Sequence, residues 1–560
     1  MASYEYAMDG QRRKVFSTGK RQSMISRLVR GLIVTVLATA TASRVSVSSP
    51  LSVQATIVRP RVYPTIENVI HTLVRNEGQE SLAIQRITFR GYPVWPSISD
   101  ESAETSGVVW CQVWPTVVKP GEWSELKVLP SHGPVCGATA EILYSVNGKE
   151  ERLAMRGPEH ESSVAWKGIT FGDALSSVWI GVSTTGTQSL RLTSILLNGE
   201  DRIQDAVPKD LCIRPGQVLV AGFPLKGKIL RGEDVYVVCR TENGETAAAH
   251  VRVDDQFPIW HNLEETPSWL GLDERPACLK ELMNGPPGEL GTDRVKSFEL
   301  ARLYALHRNT SKSALGYLLK CKSIQEDGLA VYAPLVDAIL TNPQQSLREA
   351  GEEAGTTRSY RLAEVAYRST SPGPWYALIS TAPDPIVRHG LYHIRDRAPT
   401  PGEVEHLIWE SIANGAKGLC YSGSVEDLQN ADIGEINQRV GKFLPGLRYA
   451  IPVESREISD RKAQLSVLQA ATKELIVIVT NNTLAFIPGP GTPSTVELLP
   501  NVRVELRIPP DLQVDSRTEG YETTDEGTCS FTIPRLRYVD VRRVTLRRTD
   551  PGPGHARTEK

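Results

Sequence analysis

Residues 398–423, APTPGEVEHLIWESIANGAKGLCYSG, restrict the fold of this chain more than any other stretch. Thr400 is a helix N-cap residue, Pro401 suits the first helical position, and Glu403 completes a capping box. Val404, Leu407, Ile408 and Ile412 then fall on one helical face, and Gly415 is placed to stop the helix in a left-handed conformation. GLCY follows at once as a strand apolar on both faces. A helix delivering a doubly buried strand implies a parallel sheet covered by helices. The same unit recurs upstream. Leu300, Leu303, Tyr304 and His307 have helical spacing ahead of ALGYLLKC, and SYRLAEVAYRST runs through the turn SPGP into WYALIST.

On either side of 254–455 the periodicity changes to that of short alternating strands. From 50 to 158 the strands are VIHTLVRNEG, LAIQRITFRG, WSELKVLP and EILYSVNG, and from 159 to 253 they are LRLTSILLNGE, LCIRPGQVLVAGFPL and EDVYVVCRTENGETAAAHVRV. Both segments carry a Pro-Gly turn before an alternating strand, at Pro120-Gly121 and Pro215-Gly216. Alternation returns over 456–548 in LSVLQAA, ELIVIVTNN, VRVELRIP, CSFTIP and VRRVTLRR. The expected architecture is therefore multidomain. Two N-terminal Ig-like β-sandwiches (50–158 and 159–253) precede a central (β/α)8-like barrel (254–455), a C-terminal β-sandwich (456–548) and a disordered tail (549–560). A length of 560 residues, beyond what one core organises, agrees with such a division.

The leader MISRLVRGLIVTVLATATAS places Arg27 and Arg30 before an apolar run ending in Ala38, Ala40 and Ala42, the pattern of a secretory signal over 1–42. The run is shorter than the roughly 20 residues that span a bilayer, so export with no further stable transmembrane span is expected. Translation could start at Met1 or Met24. Eight cysteines in an exported chain permit bridges such as Cys111–Cys136 and Cys212–Cys239, or buried thiols. No metal-ligand spacing, cofactor motif or phosphate loop occurs, and a net charge of −2 without a basic, aromatic-interleaved patch argues against nucleic acid.

Three stretches carry a family resemblance: RAPTPGEVEHLIWESIANGAKGLCYSG, YAPLVDAILTNP and WLGLDERP. They resemble the strand and helix units of glycoside hydrolase-like (β/α) barrel proteins. The resemblance implies carbohydrate as the partner and acids at the barrel mouth. Hydrolysis needs two carboxylates, about 5–5.5 Å apart for retention or about 6.5–9.5 Å for inversion. Glu274 or Asp273 is the candidate acid, and Asp337 or Asp384 its partner. Asp273 and Glu274 beside Arg275 also read as a paired first turn of a helix over PACLKELM. Trp260, Trp269, Trp375 and Tyr421 are candidate sugar-stacking residues, with core packing the alternative. WYALIST and GLCYSGS end in Ser380 and Ser422, where a second acid would be needed. Only six strands can be named over about 200 residues, against about 250 for a full barrel, so the barrel is expected to be incomplete. Three readings follow: a carbohydrate-binding protein with weak or lost hydrolysis, an active glycosidase, or a cell-envelope interaction protein with a scaffold barrel.

Overall fold

The computed structural model describes residues 49–548 except 65, 97–104, 133–134, 226, 228, 262–278, 285–300, 303–304, 306–308, 310–315, 322–325, 343–355, 383–397, 485–494, 510–511, 516–520 and 524–526. The leader, Met24, Trp269, Asp273, Glu274, Asp384 and the tail lie outside them. The described chain is mostly β-sheet with few helices, and none of its helices is long and apolar enough to cross a membrane.

At the centre is a six-stranded parallel sheet. Its strands are β1 (Ile259–His261), β2 (Leu279–Asn284), β3 (Gly316–Cys321), β4 (Ala338–Thr341), β5 (Trp375–Ser380) and β6 (Leu419–Ser422). Their spatial order is β1-β6-β5-β4-β3-β2, so each strand from β2 to β5 pairs with its successor and the last pairs with the first. That is the cyclic order of a barrel. An open doubly wound sheet would instead place the first strand internally and reverse direction. No β1–β2 pairing occurs among the described residues, so a complete barrel is not seen.

Helices α1 (Glu326–Tyr332), α2 (Thr356–Thr370), α3 (Pro401–Ala413), α4 (Val425–Asn430) and α5 (Ile433–Gly441) accompany this sheet. Alternation along the strands separates two faces. Ile259, Leu319, Ile339, Trp375, Ala377, Ile379, Leu419 and Tyr421 join the helices in one large core. Trp260, Leu318, Ala338, Leu340, Tyr376, Leu378 and Cys420 form a second, smaller core on the inner face.

The ends of α3 follow the expected chemistry. The Thr400 N–H donates to Glu403 Oε2 at 2.7 Å, and the Glu403 N–H donates back to Thr400 Oγ1 at 3.4 Å. Gly415 has φ +79°, its N–H donates to Ile412 O, and the Ala416 N–H donates to Ser411 O, which together make a Schellman stop. Glu403 and Glu410 are both buried, although they are charged residues of an outer helix. A β-sheet covers the far side of the helix.

That sheet belongs to the C-terminal segment and contains Ala450–Ile458, Ala463–Ala470, Glu474–Asn481, Val539–Arg548 and Leu512–Val514. Leu475, Val477 and Val479 face a sandwich core, while Ile476 and Ile478 face the helices of the central region. ELIVIVT is thus a strand buried on both sides, not an alternating one. Two further pairs of sheets share their own cores, one over Leu51–Arg156 and one over Val164–Arg252. Both Pro-Gly turns form: the Glu122 N–H donates to Lys119 O and the Gln217 N–H to Arg214 O, with Gly121 and Gly216 at φ +78° and +70°. These are type II turns, which need positive φ at the third residue. Cys111, Cys136, Cys212 and Cys239 are free thiols, so of the two alternatives the structure has thiols, with Cys111 and Cys239 buried.

Candidate functional site

In a barrel the strand C-terminal ends form the reactive face. Here Lys320, Asn342 and Ser380 are buried polar side chains at or just past those ends, with Ser422 half-buried opposite Ser380. Lys320 shares the inner face with Leu318 by alternation, and Ser380 shares it with Leu378. The Thr381 hydroxyl and N–H both donate to Ser422 O, at 3.1 and 2.9 Å, and hold the ends of β5 and β6 together. His261, at the end of β1, donates to the Gly423 carbonyl; burial nevertheless pulls its pKa below the usual value. No strand residue with a described side chain at this end is a carboxylate. Glu426 and Asp427 follow β6 in the first turn of α4, and Asp427 accepts from the Ser424 N–H and hydroxyl as a helix cap.

Asp337 is not at this face. Residues 333–335 form a 3-10 turn, the strand begins only at Ala338, and Asp337 therefore sits at the opposite, N-terminal end of β4. Its Oδ1 lies 3.7 Å from Arg252 Nε, a residue of the second N-terminal sheet pair. The apolar flank YAPLV made it resemble a mid-strand acid; the turn within that flank moves it out of the mouth. The segment LKELM is corrected as well. It is strand β2, pairing parallel with β3 from Leu279↔Gly316 to Asn284↔Lys320, and tertiary pairing overrides the helical leaning of its side chains.

The aromatic candidates divide by face. Trp375 and Tyr421 point away from the inner face into the helix-side core, both with no measurable exposure. The Trp375 indole N–H donates to Asn414 O at 3.0 Å, and the Tyr421 hydroxyl donates to Asn437 Oδ1 at 2.7 Å, with burial pushing the phenol pKa up. Neither ring has a face left for a sugar. Trp260 is on the inner face but packs edge-on against Tyr376 at 5.3 Å within a closed apolar cluster. It is barrel filling, of the kind that makes such interiors solid. Glu274, Asp273 and Trp269 lie in the undescribed segment after β1.

Sequence reasoning passed over a buried ionic hub where three parts of the molecule meet. Glu125 Oε1 is 2.8 Å from His71 Nε2, and Glu125 Oε2 is 2.9 Å from Lys127 Nζ and 3.2 Å from His250 Nδ1. His250 Nε2 is 2.8 Å from Asp234 Oδ1, and Arg252 bridges Asp234 to Asp337. Burial works against the Glu125 carboxylate, yet Lys127, His250 and His71 together hold it well below the usual range. Burial alone would lower His250, but Glu125 and Asp234 raise it to about 9. For His71 burial wins and the pKa falls. His71 Nε2 thus stands beside a carboxylate that His250 and Lys127 also approach. The only sequence sign was a set of charged residues at inward positions of apolar strands, which does not reveal partners from other segments.

No family model and no curated protein matches the chain. Solved structures similar to it include Amy13B of Eubacterium rectale (9 % identity, 46 % of this chain and 57 % of that one, TM-score 0.26). The GH36 α-galactosidase AgaB of Geobacillus stearothermophilus is another (8 %, 89 % and 87 %, TM-score 0.21). A third is the GH36 α-galactosidase AgaA of the same organism (9 %, 74 % and 83 %, TM-score 0.22). At these TM-scores the likeness carries no inference about this chain.

Proposed function

We propose that this chain is an exported carbohydrate-binding protein built around a glycoside hydrolase-like barrel in which hydrolysis is weak or lost. The observation that carries this reading is the composition of the strand ends. In a sheet of cyclic barrel order, the described C-terminal ends carry Lys320, Asn342 and Ser380, buried polar side chains of the types found among sugar-binding groups. They offer no carboxylate pair of the kind two-acid hydrolysis requires. The inner face beneath is filled by Trp260, Leu340, Tyr376 and Leu378, which leaves the rim as the place for a ligand. Export rests on the leader over 1–42.

A glycan array probed with the mature protein, beside a reducing-sugar assay of the wild type and Glu274→Gln, tests this reading. Glycan binding without turnover is the expected result. Turnover abolished by Glu274→Gln would establish the active glycosidase instead. Absence of any glycan binding would overturn the carbohydrate reading and leave an envelope-protein partner.

A further inference from the structure

A cleft of about 340 Å³ opens between the two N-terminal sheet pairs and helix α2. Pro334 and Ser371 line it from the N-terminal sides of β4 and β5, so it lies on the opposite side of the central sheet from the strand ends discussed above. Its volume is that of a small-molecule pocket. Tyr63 and Trp166 are half-buried in its wall. The Trp166 indole N–H is already bonded to Ala248 O at 3.0 Å, which fixes the ring in place. The Tyr367 hydroxyl is likewise committed to the Lys167 carbonyl.

Two polar groups in this cleft are not committed. The Lys167 ammonium has no hydrogen-bond or ion-pair partner among the described residues. Ser369 is 2 % exposed, and its Oγ has no hydrogen-bond partner among the described residues. A buried hydroxyl and a half-buried ammonium left unmatched in one cavity are costly unless something supplies acceptors. Nearby charge favours an anion. Arg368 lies beside Lys167, and Glu364 is 3.8 Å from Arg368, so these three side chains together leave one net positive charge at the cleft. Burial, then Arg368, lowers the Lys167 pKa, and Glu364 offsets part of that fall.

We infer that this cleft binds an acidic monosaccharide unit, its carboxylate on Lys167, a ring oxygen or hydroxyl on Ser369, and its C–H face against Trp166 and Tyr63. The aromatic wall argues for a ring with an apolar face rather than a bare inorganic anion. The site is independent of the barrel rim, and either can fail without the other.

The test is isothermal titration calorimetry of the whole protein with sodium D-galacturonate, with D-galactose and inorganic phosphate as controls. Galacturonate should bind the wild type, and galactose at least about tenfold more weakly, the value of one charge-assisted hydrogen bond. Lys167→Met keeps the aliphatic stem, removes an unpaired charge, and should weaken galacturonate about tenfold or more. Ser369→Ala should weaken it too and carries the test if Lys167→Met does not fold. No galacturonate binding, binding undiminished in both variants, or phosphate binding as tightly as galacturonate would each overturn the inference.

Discussion

Lys417 lies in the turn between α3 and β6, where its ammonium donates to the Ala450 carbonyl and its backbone N–H to Trp375 O at 2.8 Å. Burial lowers its pKa from 10.5 to about 7. Folding then costs free energy at neutral pH, because the unfolded chain carries the proton and the folded chain holds it weakly. A displacement from 10.5 to 7, at about 1.4 kcal/mol per unit, sets a ceiling of about 5 kcal/mol below pH 7. The side chain keeps some solvent contact, which reduces that figure. Lys417→Met removes this cost but leaves the Ala450 carbonyl unpaired, a loss of about 1–2 kcal/mol. The expected net effect is a gain of about 1–3 kcal/mol at pH 7. The unfolded state binds more protons between pH 7 and 10.5, so wild-type stability rises with pH there and the advantage of the variant shrinks, by at most about 1.4 kcal/mol per unit. Urea unfolding of both proteins at half-unit steps from pH 7 to 9.5, followed by tryptophan fluorescence, measures the difference. A difference that stays flat across that range, or a variant less stable than wild type at pH 7, would refute the reasoning.

His250 gives the opposite trend. Its pKa rises from 6.5 to about 9, so its contribution, at most about 3 kcal/mol, is complete below pH 6.5 and disappears as pH climbs through 9. The stability gap between wild type and His250→Gln should close over that window; a gap that widens with pH would contradict the ionic hub. Gly418→Ala would bring a Cβ to 2.6 Å from the Pro258 carbonyl and 2.9 Å from the Tyr376 ring, so a loss of about 1–3 kcal/mol in denaturant melts is expected. Thr400→Ala removes one half of the α3 capping box and should cost about 1 kcal/mol in the same assay, with Thr400→Ser close to wild type.

Local chemistry was the part of this fold legible from sequence. The capping box at Thr400 and Glu403, the stop at Gly415 and both Pro-Gly turns are decided by residues within a few positions of one another, and all formed. Four of the six central strands, β3 to β6, fall within the runs ALGYLLKC, YAPLVDAILTNP, WYALIST and GLCYSGS, whereas β2 hid in LKELMN, whose side chains favour helix and whose pairing with β3 comes from more than thirty residues away. The candidate site was less legible for the same reason. Face and end of strand decide whether Trp375, Tyr421 or Asp337 meets solvent, and both depend on where a strand begins. A 3-10 turn at 333–335 was enough to move Asp337 to the wrong end. ELIVIVT looked alternating because its second covering layer arrives from another segment.

The pairing of β1 with β6 also has a consequence for how the chain reaches its native state. Ile259 pairs with Leu419 and His261 with Tyr421, so the first strand of the central sheet has no partner on that side until the last has been made. Contacts that distant in sequence form slowly, since a long loop must close before any bond rewards it. Until then the edges of β5 and β1 expose unpaired backbone beside apolar side chains, the condition that invites association with other chains. Dilution during refolding should therefore improve recovery, and a chain cut before residue 419 should aggregate rather than fold the central sheet.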